Sequence, residues 1–140
     1  MLFVTYRLRL DRINMDKKSE RFFIRSKIWI EDEDGKVVFG LGRLKILEAV
    51  HRLGSLQAAA KELKMSYRAL WGRVKATEER LGFPLLVRSK GGAAGGGSEL
   101  MPAALEFVEQ FRQLHKNVVI DADQLFEKVI DIRPVRDDSV

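Results

Sequence analysis

Residues 54 to 100 read GSLQAAAKELKMSYRALWGRVKATEERLGFPLLVRSKGGAAGGGSEL. Ser55 stands where its side chain can accept a backbone N–H at the start of a helix that runs through Ala58, Ala59 and Ala60 to Leu63. Ser66 does the same for a following helix, on which Leu70, Val74, Thr77 and Leu81 recur on the inner face before Gly82 ends it. The alanines leave room for the two helices to cross closely. Upstream, Leu44, Ile46, Leu47, Val50, His51 and Leu53 mark the stripe of a preceding helix, and Gly54 follows where a left-handed residue commonly closes one. Downstream, Pro84 to Val87 read as a short strand and Glu99-Leu100-Met101 as its return. Three helices with a tight turn between the last two, followed by a hairpin, predict a winged helix-turn-helix.

The spacing also selects the side chains free for other work. With Leu70, Val74, Thr77 and Leu81 inward, Tyr67, Arg68, Trp71, Gly72 and Lys75 lie on the opposite side. Ser66, Tyr67, Arg68 and Trp71 sit near the amino-terminal end, the end a recognition helix pushes into the major groove. Arg68 fits a bidentate contact with guanine O6 and N7, and Lys75 a phosphate. Tyr67 and Trp71 suit a thymine methyl or the sugar-phosphate backbone. Trp71 equally suits a place at the edge of the core, folded against the first helix or the wing.

Between the two strands lies Arg88 to Ser98, a loop with five glycines. A phosphate-binding P-loop needs Lys-Ser or Lys-Thr directly after its last glycine, whereas here the chain continues Gly97-Ser98-Glu99. The alternatives are a linker without fixed structure and a wing. As a wing, its glycines let the backbone come close to a duplex, with Arg88 and Lys90 supplying charge to phosphates or to the minor groove.

The fold class expected is mainly α with small β. Phe22 to Asp32 alternate, with Phe22, Ile24, Ser26, Ile28 and Ile30 on one face, as in a half-buried strand. Asp34-Gly35 then separates it from Val37-Val38-Phe39 and favours a two-residue hairpin turn. Residues 1–21 form an N-terminal extension ahead of a DNA-binding domain at 22–101. From Pro102, a residue suited to a first helical turn, Ala104, Phe107, Phe111, Leu114, Val118, Ala122, Leu125 and Val129 recur every three or four residues. This long seam predicts a dimerisation helix over 102–131, or two helices if Asp121 caps a second one after the β-branched Val118-Val119-Ile120. Residues 132–140 are expected to form a flexible tail.

Composition narrows the function classes. The 140 residues, 46% of them hydrophobic, suffice for one domain with a core and not for two of ordinary size. No apolar run reaches the roughly 18 residues of a membrane span, and MLFVTYRLRLDR is too charged for a cleaved leader, so a cytoplasmic location is expected. The absence of cysteine removes disulfides, thiolate nucleophiles and Cys-based zinc sites. His51 and His115 stand too far apart for a local ligand pair, and no acid, base and nucleophile cluster, so neither an enzyme nor a cofactor is expected. Charge is concentrated: Gly40 to Met101 carry eleven basic and five acidic side chains, while residues 102 to 140 carry five basic and eight acidic ones. A basic centre with an acidic tail suits a polyanion partner.

The signature GS-x-x-AAA-K-x-L-x-M-SYRALW, followed by LGFPL, R-S-K-GG and GGGS-x-L, resembles the N-terminal DNA-binding domain of the molybdate-responsive ModE regulators. More distantly it is similar to the winged helix-turn-helix of LysR-type regulators. The resemblance covers about 23–111. It implies a transcription regulator that binds double-stranded DNA as a homodimer, with recognition helix 66–81 and wing 90–98. ModE proteins bind molybdate in C-terminal domains beyond this match, so no molybdate-binding domain is expected here. Lys64 stands where the family usually has glycine, Ala93 where a basic residue is common, and Met101-Pro102-Ala103-Ala104 replaces a Leu-Thr-x-x-Gly ending. The alternative within the same fold is an accessory protein that acts through protein contacts with a full-length regulator.

Overall fold

A computed structural model describes residues 22–88 and 97–132. Lys90, Ala93, most of the proposed wing, the extension 1–21 and residues 133–140 of the tail lie outside the described residues. The elements run β1 (Trp29–Glu31), β2 (Val37–Gly40), α1 (Leu41–Leu53), α2 (Leu56–Glu62), α3 (Tyr67–Leu81), β3 (Leu86–Arg88), β4 (Ser98–Leu100) and α4 (Pro102–Val129). The mainly α, winged helix-turn-helix class is as expected. Lys27–Arg112 form one compact unit, and among the described residues 22–26 and 113–132 belong to another.

The first hairpin is shorter than its alternation suggests. Only Trp29–Glu31 pair with β2, antiparallel, with Trp29 opposite Gly40 and an irregularity between Ile30 and Glu31. The cause lies in the partner: β2 passes directly into α1 at Leu41, so residues before Trp29 have no strand to bond. Parity survives near the pairing, with Ile28 and Ile30 turned toward the core and Trp29 and Glu31 exposed. The turn also differs. Gly35 has φ +76 and Asp34 is not left-handed, so the mirror-image two-residue turn is excluded. Instead the Asp32 carboxylate accepts the N–H groups of Asp34 (3.0 Å) and Lys36 (2.8 Å), closing a three-residue loop.

The helix-turn-helix follows the capping signals. Ser55 Oγ accepts from Ala58 N–H at 3.1 Å, and Ser66 Oγ from Ala69 N–H at 3.0 Å. Gly54 (φ +67) and Gly82 (φ +80) close α1 and α3 in the left-handed conformation. Between α2 and α3 the same task falls to Lys64, at φ +55. Met65 N–H bonds Ala60 C=O (2.9 Å) and Lys64 N–H bonds Lys61 C=O (3.2 Å), the paired bonds of a Schellman motif, in which glycine is the usual residue.

One core holds α1 to α3 and the start of α4. Phe39, fully buried on β2, meets the rings of Phe107 and Phe111 edge-on at 4.8 and 4.9 Å. Leu47, Val50, Ala59, Leu70, Val74 and Leu85 complete it, and Thr77 is buried among them. At the α4 end, Glu48 pairs with Arg112 at 2.7 Å. The wing strands pair antiparallel, with Leu86 opposite Leu100. Their base is fixed to the domain by Ser98 N–H on Gly54 C=O (2.9 Å) and Met101 N–H on Leu85 C=O (2.8 Å). β3 starts later than the apolar run suggests, because Leu85 is drawn into the core, whereas β4 starts one residue earlier than expected, at Ser98.

α4 is one helix from Pro102 to Val129, so Asp121 does not cap a second one. Three β-branched residues lower helix propensity by only a few tenths of a kcal/mol each, too little to break a helix between strong formers. Among the described residues no helix is long and apolar enough to cross a membrane.

Candidate nucleic-acid interface

Four of the seven side chains singled out from sequence form one contact group. Trp71 is half-buried, its ring against the edge of the core. Its exposed part is flanked by two cations: Lys75 Nζ lies 4.5 Å from the ring centroid and the Arg88 guanidinium 4.8 Å. Arg88 Nη2 also donates to the Tyr67 hydroxyl at 3.2 Å. The two uses considered for Trp71 are therefore compatible, since one edge of the indole packs inward and the remainder supports charge. Cation–π contacts of this kind hold a guanidinium in place without neutralising it.

The positions follow from helix geometry. Tyr67, Trp71 and Lys75 are spaced four apart and share one side of α3. Arg88, the last residue of β3, meets that side through Tyr67 and Trp71. Tyr67, at the first turn, is 41% exposed. Arg68 is exposed beside it, with no hydrogen-bond or carboxylate partner among the described residues. Ser66 is committed to the cap through its hydroxyl.

Glu78 was not singled out from sequence, yet it fixes this arrangement. One carboxylate oxygen accepts from Lys75 Nζ and the other from Leu85 N–H, both at 2.9 Å. It thereby joins α3 to the strand that leads into the wing. Burial raises its pKa, but the bonds from Lys75 and from the backbone of Leu85 and Leu86 outweigh this and hold it below the usual glutamate value. The i,i+3 spacing with Lys75 was the available signal; the bond to Leu85 requires the fold.

Other basic residues are spent on structure. Arg52 pairs with Glu62 across α1 and α2, and Arg112 bridges Glu48 and Glu109.

Residues 41–95 match the family model described as "Bacterial regulatory helix-turn-helix protein, lysR family". Over these residues the helix-turn-helix is similar to that of the LysR type. The chain is 35% identical over 95 residues to "Molybdenum-pterin-binding protein MopB" of Rhodobacter capsulatus, covering 68% of this chain and 35% of that protein. It is 32% identical over 74 residues to "Transcriptional regulator ModE" of Haemophilus influenzae, covering 53% of this chain and 29% of that protein. The chain thus spans about a third of the length of these curated relatives. Among solved structures, the CbnR DBD–DNA complex aligns with a TM-score of 0.52 and 29% identity, over 66% of this chain and 100% of that one. The unit is therefore a helix-turn-helix domain similar to the LysR-type DNA-binding domain, and its sequence is homologous to part of the ModE regulators.

Proposed function

We propose that the protein is a sequence-specific transcription regulator that binds its operator as a homodimer, with α3 in the major groove and the loop 90–98 on the backbone or in the minor groove. The observation that carries this is the Tyr67–Trp71–Lys75–Arg88 group, which ties the base of the wing to the outward side of α3. Arg68, without a hydrogen-bond partner among the described residues and next to it, is the base reader; Lys75, Arg88 and Lys90 contact phosphates; Tyr67 and Trp71 pack on sugar or a thymine methyl; Ser66 sets the helix entry. Such a protein works where the chromosome is, in the cytoplasm. Direct molybdate sensing is not carried over, because the likeness concerns the reading domain.

Dimerisation is assigned to the second half of α4. Leu114 (48% exposed), Leu125 (58%) and Val129 (70%) continue the seam that begins with Ala104 and Phe111, and a second copy of the helix is a natural cover. Sedimentation equilibrium should give a dimer that Leu125→Glu dissociates; a wild-type monomer at micromolar concentration would remove this element.

The test of function is selection of bound fragments from the source genome, followed by a salt titration on the recovered duplex. A groove reader with several phosphate contacts loses orders of magnitude in affinity between about 50 and 200 mM salt. Absence of salt-dependent DNA affinity together with capture of a full-length regulator would favour the accessory-protein alternative.

A further inference from the structure

Three arginines converge on the side of α3 away from the wing. Arg73 follows Trp71 by two residues, about 200° around a helix of 3.6 residues per turn, and Arg80 stands two turns further along the same side. Arg43 comes to them from the first turn of α1, its Nε bonding Thr77 Oγ1 at 2.9 Å, on the turn between Arg73 and Arg80. Arg43 and Arg73 line one small cleft, and Nη1 of Arg73 lies 4.0 Å from where a β-carbon on Gly42 would stand.

Among the described residues no carboxylate pairs with any of the three. Their neighbours three and four positions away within α1 and α3 are Ile46, Leu47, Ala69, Leu70, Ala76 and Thr77, none acidic. Arg52, Lys75 and Arg112, by contrast, each meet a glutamate. Arg43 is also in a helical first turn, where the macrodipole disfavours a cation. Burial, then repulsion from Arg80 and Arg73, pulls its pKa below the ordinary arginine value. Positive charge gathered at an electrostatic cost, without an internal counter-charge, suits an external anion.

We propose that Arg43, Arg73 and Arg80 form a second phosphate-binding face, which grips the wall of the major groove opposite the wing. A helix with its side chains, about 10–12 Å across, fills a groove about 12 Å wide, so its two flanks face two phosphate strands. One flank carries Lys75 and Arg88, the other this arginine set. The inference rests on the reading of α3 as the groove-bound helix, and it adds a clamp from both sides.

The test uses the full chain and a labelled 30-bp mixed-sequence duplex. Log affinity is followed against log salt for wild type, Arg73→Gln, Arg73→Gln/Arg80→Gln and the corresponding double lysine variant. Each phosphate contact contributes about 0.9 to the slope. The single variant should lower it by about 1, the double by about 2, and the lysines should restore it. Arg73 donates no side-chain hydrogen bond among the described residues, so its single variant reads the contact even if loss of the Arg80 bond to Val37 C=O unsettles the double. A wild-type slope retained by Arg73→Gln and by a folded double variant overturns the second face alone. A wild-type chain with no salt-dependent binding overturns the reading beneath it.

Discussion

The Arg88 guanidinium lies 4.8 Å from the centroid of the Trp71 ring, linking the last residue of β3 to the amino-terminal half of α3. Arg88 also bonds Tyr67, so the base of the wing and the entry of α3 are positioned together. On the proposed reading, these contacts reduce the freedom of the guanidinium before DNA binds, which lowers the ordering cost of association.

This coupling is measurable. Trp71→Leu and Arg88→Ala should each weaken DNA binding, and their double variant should lose less than the sum by about 0.5–1 kcal/mol, the size of an exposed cation–π contact. Additive losses in a double-mutant cycle would mean that the indole does not prepare the arginine.

Lys64 holds a left-handed conformation at φ +55 in an exposed turn, where a β-carbon costs up to about 1 kcal/mol relative to glycine. Lys64→Gly should therefore raise the melting temperature by a few degrees, less whatever the more flexible unfolded chain takes back. An unchanged or lower melting temperature would count against strain at this turn.

Glu78 gives the chain an acid-sensitive joint. Its carboxylate is held below the usual glutamate value when folded, so its stabilisation is complete at neutral pH. It fades as the pH enters the usual glutamate range and is gone below the folded value. Glu78→Gln should cost about 1–3 kcal/mol at neutral pH, as expected for a buried-side acceptor of two hydrogen bonds. The wild-type and variant denaturation curves should converge with acidification; a gap that persists or widens would place the joint elsewhere.

Much of this was legible in the sequence because short-range chemistry fixes it. Ser55 and Ser66 cap their helices, and Gly54 and Gly82 close theirs, through contacts within four residues. Leu70, Val74 and Thr77 are buried as their spacing implies. What was not legible depends on partners distant in sequence. The alternation of 22–32 gives no hint that β2 turns into α1 after four residues and leaves the earlier part unpaired. The pairing of Arg43 with Thr77, the Leu85 bond to Glu78 and the meeting of Arg88 with Trp71 need the folded chain. Asp121 looked like a cap, but a local preference of tenths of a kcal/mol could not interrupt α4.

Whether α3 reads bases is decided most directly by Arg68→Ala, assayed on the selected duplex and on a scrambled one at fixed salt. Loss of about 1–3 kcal/mol on the selected duplex with little change on the scrambled one, and relaxed preference at one base pair, is the expected result. Equal losses on both duplexes would contradict it, making Arg68 a phosphate contact and α3 no reader at that position.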